Sequence, residues 1–323
     1  MRRQAAGEDG DLEWGWLSFS HPLLATTPLP YFEVRSATPG PRLAVVAGMH
    51  PNEVSSMEAA LRLKGAFAGQ LERGAVSMLP ILNMPGLYAH ADTICPVDGK
   101  NINFCFPGSR DGTFSDVLAT SLIQEWSADA DVFVDLHGGD LREDVAKFVM
   151  CQMTGDVQRD ARSRELARCF DADLVIEFPP GQTTNTGRAI NVLPTLGRYG
   201  VMSEAGTNGR IDQESVAFHV EGVLDIARML GLVGGPRLPR GRANRTLRGY
   251  EKILSPAAGR FYRDVAVNDQ VSAGQRLAVI TGLFGEPLTE MRAPLAGRIV
   301  MTVTHNVVEA GDMVFGIGEV VGE

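Results

Sequence analysis

The chain has 323 residues and a formal net charge of −9; 44% of its residues are apolar and 21% are charged. This composition is that of an ordinary globular protein, so it excludes the disordered and fibrous classes. The acidic balance argues against a protein that binds duplex nucleic acid. No apolar run reaches the roughly 18 residues that cross a bilayer, and the first residues lack the apolar core of a signal peptide. We therefore expect a cytoplasmic protein whose four cysteines are reduced thiols.

Short apolar runs alternate with stretches of helical spacing over roughly the first 230 residues. The predicted strands are 14–19, 31–34, 43–47, 76–82, 132–136 and 174–178, with a further short strand ending near Glu204. The predicted helices are 53–67, 116–126, 162–170 and 215–230. Strands that alternate with helices favour an α/β domain with a largely parallel sheet.

The composition changes at 232–242, a stretch rich in Gly, Pro and Arg that is typical of a linker. Beyond it, helical patterns stop and short strand-and-turn segments begin. The sequence therefore predicts two domains, a large α/β domain over 1–235 and a small β-barrel or sandwich over 246–323.

The second domain contains an internal repeat. Pro-Ala-Ala-Gly-Arg at 256–260 recurs as Pro-Leu-Ala-Gly-Arg at 294–298, and Val-Ser-Ala-Gly at 271–274 recurs as Val-Glu-Ala-Gly at 308–311. Two such β halves would close on each other around a pseudo-twofold axis. The segment resembles the biotinyl/lipoyl-like barrel, whose carriers attach a prosthetic group to a hairpin lysine. The last lysine, Lys252, precedes the first repeat, so we interpret the segment as a cap or lid.

The strongest local signal for chemistry is Gly-Met-His-Pro-Asn-Glu, which places His50 and Glu53 where a strand ends and a helix begins. Sites in open α/β sheets form at the carboxyl ends of strands. An imidazole and a carboxylate three residues apart suit Zn²⁺, although either residue alone could serve as a local cap or a first-turn acid.

Two further strands end in polar residues followed by glycine. His137 follows the run 132–136, and Asp135 is either a partner that orients a ligand imidazole or an outward-facing strand residue. Glu204 ends a third strand and could take a proton from water and return it to a leaving amine. With His50 and Glu53, these residues predict a catalytic zinc site.

The order of five motifs resembles the succinylglutamate desuccinylase/aspartoacylase family. The motifs are H-x-x-E from His50, N-x-P from Asn83, D-G-K-N-x-N-x-x-F-P-G from Asp98, D-L-H-G-G from Asp135 and S-E-x-G from Ser203. The resemblance covers about 43–230 and implies a zinc carboxypeptidase-like mixed sheet flanked by helices, followed by the small all-β domain.

The resemblance also implies roles for individual residues. His50, Glu53 and His137 would hold one Zn²⁺, which would polarise an amide carbonyl and activate water, and Glu204 would be the general base. Asn103 would be a substrate-site residue. The implied reaction is the hydrolysis of an N-acylated amino acid or amine, a small-molecule substrate, with no nucleic-acid or membrane partner. Whether the barrel pairs subunits into a homo-oligomer or shields the site stays open.

Two positions depart from the family pattern. The arginine that usually clamps a substrate carboxylate is Phe104 here, and the arginine that helps to polarise the scissile carbonyl aligns with Asp92. A phenyl ring cannot replace a bidentate guanidinium. His90 lies in the same loop as Asp92, and we include His90, Asp92 and Phe104 among the predicted substrate-binding residues.

Three interpretations of these departures stay open. The substrate is neutral or cationic, with Phe104 against an apolar group and Asp92 near an amine; or another donor substitutes; or the protein holds metal but hydrolyses weakly and binds a ligand. The donors that could substitute are His90, Arg110, Arg142, Arg188 and Arg210. A carboxypeptidase is the rival enzyme, and Phe104 counts against it.

Overall fold

A computed structural model describes residues 1–181, 187–237 and 245–322. Positions 238–242 of the predicted linker lie outside the described residues. The helices are α1 (Val54–Phe67), α2 (Met84–Ala89), α3 (Phe114–Ser121), α4 (Val157–Ala167), α5 (Ala189–Val192) and α6 (Gln213–Met229), with 3-10 turns at Ile102–Phe104 and Leu193–Leu196 and a π-helical turn at Leu122–Trp126. None of these helices is long and apolar enough to span a membrane.

The strands are β1 (Arg2–Asp9), β2 (Leu12–Ser18), β3 (Leu29–Arg35), β4 (Arg42–Ala47), β5 (Ala75–Leu79), β6 (Val132–His137), β7 (Glu143–Gln152), β8 (Leu174–Phe178), β9 (Tyr199–Thr207), β10 (Arg245–Arg248), β11 (Glu251–Leu254), β12 (Gly259–Arg263), β13 (Gln270–Val271), β14 (Arg276–Thr281), β15 (Pro287–Arg292), β16 (Gly297–Val303), β17 (Val307–Val308), β18 (Met313–Gly318) and β19 (Val320–Gly322).

The sheet is mixed, as the family resemblance implied, and not largely parallel as the alternation of strands and helices favoured. Its centre, in the order β5-β4-β6-β9, is parallel. The strands β1, β2 and β3 add antiparallel at one side, and β7 runs antiparallel to β9 at the other. Neither β1 nor β7 was predicted. The carboxyl ends of β4, β6 and β9 meet at one edge, where a site is expected in such sheets.

Predicted helices that differ from the structure do so at their ends. The helix predicted over 162–170 is α4, which begins at Val157 because the Asp156 carboxylate accepts hydrogen bonds from the backbone N–H groups of Gln158 and Arg159 at 3.0 and 2.9 Å. The helix predicted over 116–126 is α3, and its last turn is π-helical.

Helices cover both faces of the central sheet. Leu63 and Phe67 of α1 pack with Val223 and Ile226 of α6 on one face. On the other face, Leu118 of α3 belongs to a second buried cluster. Because both faces are covered, the central strands are buried on both sides and their sequences are almost continuously apolar.

Four strands of the C-terminal segment have counterparts in a second half of the same segment. The first half contributes β11, β12, β13 and β14, and the second contributes β15, β16, β17 and β18 in the same order. The short strands are exchanged: β13 pairs with β16, and β17 pairs with β12. This is the pairing expected of two halves that close on each other. The segment also continues the main sheet, since β16 pairs with β7 and β10 pairs with β8.

Candidate metal centre

The end of β4 positions the first two predicted ligands. Gly48 has a positive φ of 64°, and a Cβ there would lie 2.9 Å from the Cα of Ile81, so the turn requires glycine. The turn brings His50 to the sheet edge and makes Glu53 the residue before α1. Both side chains are buried.

The end of β6 brings the third predicted ligand to the same place. β6 lies beside β4 in parallel register, and His137 is its last residue, buried to 1% exposure. The N–H of Gly138 donates to Oε2 of Glu53 at 3.0 Å, which fixes the Glu53 carboxylate against this strand end. A Cβ on Gly139 would lie 2.3 Å from the carbonyl oxygen of Gly206, so the ends of β6 and β9 approach each other closely.

Two imidazoles flank one carboxylate at this edge. Nδ1 of His50 lies 2.5 Å from Oε1 of Glu53, and Nδ1 of His137 lies 2.9 Å from Oε2. One donor atom from each of the three residues lies within 4.8 Å of the others. The sequence predicted this triad, and the structure brings its members together.

The outer nitrogens of both rings face oxygen atoms. Nε2 of His50 lies 3.0 Å from Oδ1 of Asn101, and Nε2 of His137 lies 3.2 Å from Oδ1 of Asp135. An oxygen at Nε2 favours the tautomer that carries its proton there, which leaves the Nδ1 lone pair free. The donor set therefore fits a cation held by two Nδ1 atoms and a carboxylate.

Burial and charge perturb the triad strongly. Burial opposes ionisation of Glu53, but the neighbouring His50 and His137 outweigh it and lower the pKa of Glu53 to about 2. Burial also opposes protonation of His137, yet Asp135 and Glu53 raise its pKa well above the ordinary value. The protein thus concentrates negative charge around the two imidazoles, an arrangement that a bound cation would stabilise.

Glu204 faces the same cavity from β9. It is half-buried, and it is the register partner of His137 on the adjacent parallel strand. Burial first, and then the charge of Glu53, raise its pKa well above the ordinary value. A carboxyl of raised pKa beside a cation site has the character of a proton acceptor and donor.

The loop from Asp98 to Gly108 supplies the next wall. Oδ1 of Asn101 accepts the N–H of Asn103 at 2.9 Å, which orders the 3-10 turn that follows. Asn103 is 3% exposed, and its Oδ1 has no hydrogen-bond donor among the described residues. Phe104 is 41% exposed and also lines the cavity. The structure therefore places Asn103 and Phe104, two of the four predicted substrate-binding residues, at the site.

The cavity has a volume of about 170 Å³. Its apolar wall is built by β7, β9 and the C-terminal strands, and includes Phe148, Met202 and Met301. Tyr250 also lines a larger cavity of about 400 Å³, but that cavity is lined by none of the triad. The chemistry-bearing groups therefore collect in the smaller cavity.

His90 and Asp92 are placed away from this wall. His90 is exposed and ends α2 in the left-handed conformation. Asp92 forms an ion pair of 3.0 Å with Arg142 near the surface. Of the loop that carries them, Thr93 lines the cavity, and neither His90 nor Asp92 is among the described lining residues.

Of the five candidate donors, Arg188 is the one that lines the cavity. It is 6% exposed, its guanidinium carbon lies 5.2 Å from the centroid of the Phe104 ring, and its Nε has no hydrogen-bond partner among the described residues. Arg142 instead pairs with Asp92, Arg110 pairs with Glu125 at 3.1 Å, and Arg210 is exposed.

Among the polar residues of the wall to which sequence reasoning gave no role are Asp140, Glu143, Tyr250 and Lys252. The first two follow His137 in an acidic stretch that could have drawn attention to them. The other two lie in the C-terminal segment, which the sequence assigned to a cap without a role for single residues.

Comparison with known proteins shows consistent matches. Residues 39–230 match the model of the succinylglutamate desuccinylase/aspartoacylase catalytic domain. The chain is 26% identical over 294 residues to an N-alpha-acetyl-L-2,4-diaminobutyric acid deacetylase from Halomonas elongata, a match that covers 87% of this chain and 83% of the relative.

Solved structures share the whole architecture. A succinylglutamate desuccinylase/aspartoacylase from Rhodobacter sphaeroides superposes with a TM-score of 0.84 at 26% identity and covers 100% of both chains. The product-bound ectoine utilization protein EutE (DoeB) from Ruegeria pomeroyi superposes with a TM-score of 0.85 at 22% identity, covering 98% of each chain. The fold is therefore that of the desuccinylase structures, including the β-rich C-terminal segment.

Proposed function

The chain belongs to the succinylglutamate desuccinylase/aspartoacylase family, and on that premise we propose that it is a zinc-dependent deacylase of N-acylated amino acids or amines. The observation that carries the proposal is the convergence of His50, Glu53 and His137 in one cavity with Glu204 on its wall. A relative that covers most of the chain is named as a deacetylase of an acetylated diamino acid, which supports the same reaction class.

The residues present fit zinc. Two imidazoles and one carboxylate form a donor set used by catalytic zinc sites, which keep a further position open. Asn101 and Asp135 face the outer nitrogens of the two rings and would hold them in orientation. When bound, the ion would act as a Lewis acid at the amide carbonyl and lower the pKa of a water molecule.

The chain's own residues account for the proton transfers. A carboxyl oxygen of Glu204 would accept the proton of the attacking water and return it to the leaving amine nitrogen. Burial raises the pKa of this carboxyl, and positive charge nearby opposes that shift, so the site balances two effects on the proton affinity of Glu204.

We assign to Arg188 the place of the absent family arginines. A buried guanidinium with an unpartnered Nε can bind a substrate carboxylate or the developing oxyanion, and the Phe104 ring lies against this guanidinium at 5.2 Å. A phenyl ring at 104 thus supports an arginine that reaches the cavity from another element. This is the second of the three interpretations of the sequence.

We further propose that 246–323 is a separate domain of the biotinyl/lipoyl-like type that caps the site. The exchange of short strands between its halves supports this architecture. Its role as a cap is supported by Met301 and Met313, which line the cavity together with Tyr250 and Lys252.

The proposal is tested by metal analysis and a substrate panel. We expect about one zinc per chain by mass spectrometry, lost in His137→Ala and retained in His21→Ala, whose histidine lies outside the triad. The zinc-loaded protein should release free amine from N-acetyl or N-succinyl amino acids. Zinc without turnover of any panel member would refute the deacylase and leave a binding protein, and release of C-terminal residues from peptides would instead establish a carboxypeptidase.

A further inference from the structure

The strand β1 lies at an edge of the main sheet. We propose that this edge is a dimer interface, where β1 of one copy of the chain pairs antiparallel with β1 of a second copy across a twofold axis. The two main sheets then join into one. The proposal is independent of the deacylase function, and it places the contact between subunits at the N-terminal edge and not at the C-terminal barrel.

The outer side of β1 offers backbone groups to another strand. Among the described residues β1 pairs with β2 alone, and six of its eight residues are exposed. The N–H of Arg35 donates to the carbonyl of Asp11 at 3.0 Å, so the odd-numbered residues of β2 face β3 and the even-numbered ones face β1. The β1 positions opposite those even-numbered residues bond to β2, and the backbone groups of Arg3, Ala5 and Glu8 point outward. Such a row is a template for a further strand.

A β-bulge at Ala6 sets which residues of β1 share a face. The residues before Ala6 pair with β2 in one register, and those after it pair in a register shifted by one residue. In a regular strand an odd-numbered and an even-numbered residue lie on opposite faces and could not be partners. Because the bulge reverses the alternation, Arg2 shares one face with Asp9, and Arg3 shares the other face with Glu8.

Antiparallel pairing of two copies about the middle of β1 brings opposite charges together. Arg2 of one copy meets Asp9 of the other, and Arg3 meets Glu8, each twice by symmetry. Arg3 and Glu8 both point their backbone groups outward, so they would exchange main-chain hydrogen bonds. Arg2 and Asp9 would form a non-hydrogen-bonded pair, in which side chains approach most closely. The small residues at 5–7 let the two backbones meet at the axis.

Three of these four charges have no partner in the single chain. Within the described residues, no ion pair and no hydrogen bond engages the side chain of Arg2, Glu8 or Asp9, and all three are exposed. An edge that is basic at one end and acidic at the other favours a strand with the opposite order of charges and repels other strands. β1 of a second copy, running antiparallel, has this order. The charges therefore favour self-association over the capture of an unrelated strand.

The second face of β1 carries a repulsion that a second copy would relieve. Glu8 is the register partner of Glu13 on β2, so two carboxylates stand directly opposite each other, an arrangement that destabilises a strand pair. Arg3 of a second copy would lie beside Glu8 and offset this repulsion. The Arg3 guanidinium already pairs with Glu33 at 2.6 Å, but its side chain stays partly exposed and has five N–H donors to share.

The test is the oligomeric state of the full chain, with any purification tag at its C-terminus so that β1 stays native. We expect wild type to sediment as a dimer, at about twice its chain mass of 34.8 kDa, at micromolar concentration. Arg2→Glu alone, or Asp9→Arg alone, should weaken the dimer by about tenfold or more, because each reversal places like charges together at both ends of the interface. Glu221→Arg, which reverses an exposed charge on α6, should leave the dimer unchanged.

Mixing the two variants separates a lost interface from a lost fold. An equimolar mixture of Arg2→Glu and Asp9→Arg chains again has opposite charges at both ends, so a heterodimer of near wild-type affinity should form. Ala5→Pro removes an outward N–H, which an edge strand tolerates, and should give a folded monomer by circular dichroism and sedimentation. A wild-type chain that stays monomeric, a dimer that neither reversal weakens, or a mixture that does not associate would overturn the proposal.

Discussion

His137 and Glu204 are register partners on the adjacent parallel strands β6 and β9. Paired residues of parallel strands leave the sheet at the same level, so an imidazole of the metal centre and the proposed base stand side by side. The sheet, rather than a loop, fixes their separation. This rigidity is what a proton transfer of defined geometry needs.

Replacement of Glu204 should separate catalysis from metal binding. Glu204→Gln keeps the size of the side chain but cannot accept a proton, so we expect kcat to fall by about 10²–10⁴-fold. Zinc content should stay the same, because the three clustered donors are His50, Glu53 and His137. Steady-state kinetics and metal analysis measure both, with Glu221→Gln as the control. Loss of zinc in Glu204→Gln would identify a ligand instead of a base.

The glycines after His137 are predicted to be structural. A Cβ at Gly139 would lie 2.3 Å from the backbone oxygen of Gly206, and neither backbone can move without disturbing β6 or β9. We expect Gly139→Ala to lower the free energy of unfolding by about 3 kcal/mol, at the upper end of the overpacking range. Urea denaturation measures it.

Gly65 provides the opposite control. It lies inside α1, and nothing lies within 4 Å of a Cβ placed there. Gly65→Ala should raise the free energy of unfolding by about 0.5–1 kcal/mol, because alanine loses less backbone entropy in a helix. Equal effects at the two positions would contradict the close approach of β6 and β9.

How far the sequence predicted the fold depends on the range of the interactions. Local periodicity predicts the strand at 43–47 and the helix that follows, and the structure has β4 and α1 there. β7 was missed, since its place between β9 and β16 is set by pairing over long sequence distances. The two similar halves after 245 could be predicted because their sequences resemble each other, and similar sequences are expected to fold alike.

The same contrast between local pattern and long-range contact explains which site residues could be predicted. His50, Glu53 and His137 each end or follow a strand, so a linear pattern sufficed for them. Glu204 was predicted at a strand end and instead lies within β9, which continues to Thr207, but it faces the same edge. Arg188 was one of five candidates because a loop residue carries no periodicity to indicate where its side chain lies. Its burial and its place in the cavity wall beside Phe104 distinguish it from the other four.

Asp98 should make stability depend on pH. Its carboxylate accepts hydrogen bonds from Oγ1 of Thr113 at 2.6 Å and from the N–H and Oγ of Ser115, both at 2.8 Å. Burial opposes ionisation, but these hydrogen bonds prevail and hold the pKa of Asp98 below its ordinary value. A lowered folded-state pKa stabilises the protein at pH values above the unfolded pKa of about 3.9, and this stabilisation is lost as pH falls through the folded pKa.

We therefore expect Asp98→Asn to lower stability by roughly 1–3 kcal/mol at pH 7, the cost of unmade hydrogen bonds to a partly buried group. The difference from wild type should shrink as pH falls toward 3. Thermal unfolding across pH measures it, with the exposed Asp9→Asn as the control. A difference that does not change with pH would show that the charge of Asp98 has no part in ordering the loop.

Arg188 should contribute to substrate and transition-state binding, and Arg142 should not. Arg188→Met keeps an unbranched stem against Phe104 but removes the guanidinium, so we expect kcat/KM to fall by about 10²–10³-fold, as for the loss of an oxyanion stabiliser. Arg188→Lys should restore little, because a point charge cannot reproduce a planar fork. Arg142→Met breaks only the exposed pair with Asp92, an interaction worth about 0–1 kcal/mol.

The split between kcat and KM identifies what Arg188 binds. If its guanidinium holds a substrate carboxylate in both ground and transition states, KM rises and kcat changes little. If it stabilises charge that develops on the carbonyl oxygen, kcat falls with kcat/KM. Steady-state kinetics with an N-acetyl amino acid and its carboxamide analogue distinguishes the two roles. If Arg188 binds the substrate carboxylate, wild type prefers the carboxylate substrate over the carboxamide and Arg188→Met loses that preference; if Arg188 binds the oxyanion, the preference does not change. If Arg142→Met lowered kcat/KM more than Arg188→Met, the substitute donor would be Arg142, beside the loop that carries Asp92, and not Arg188.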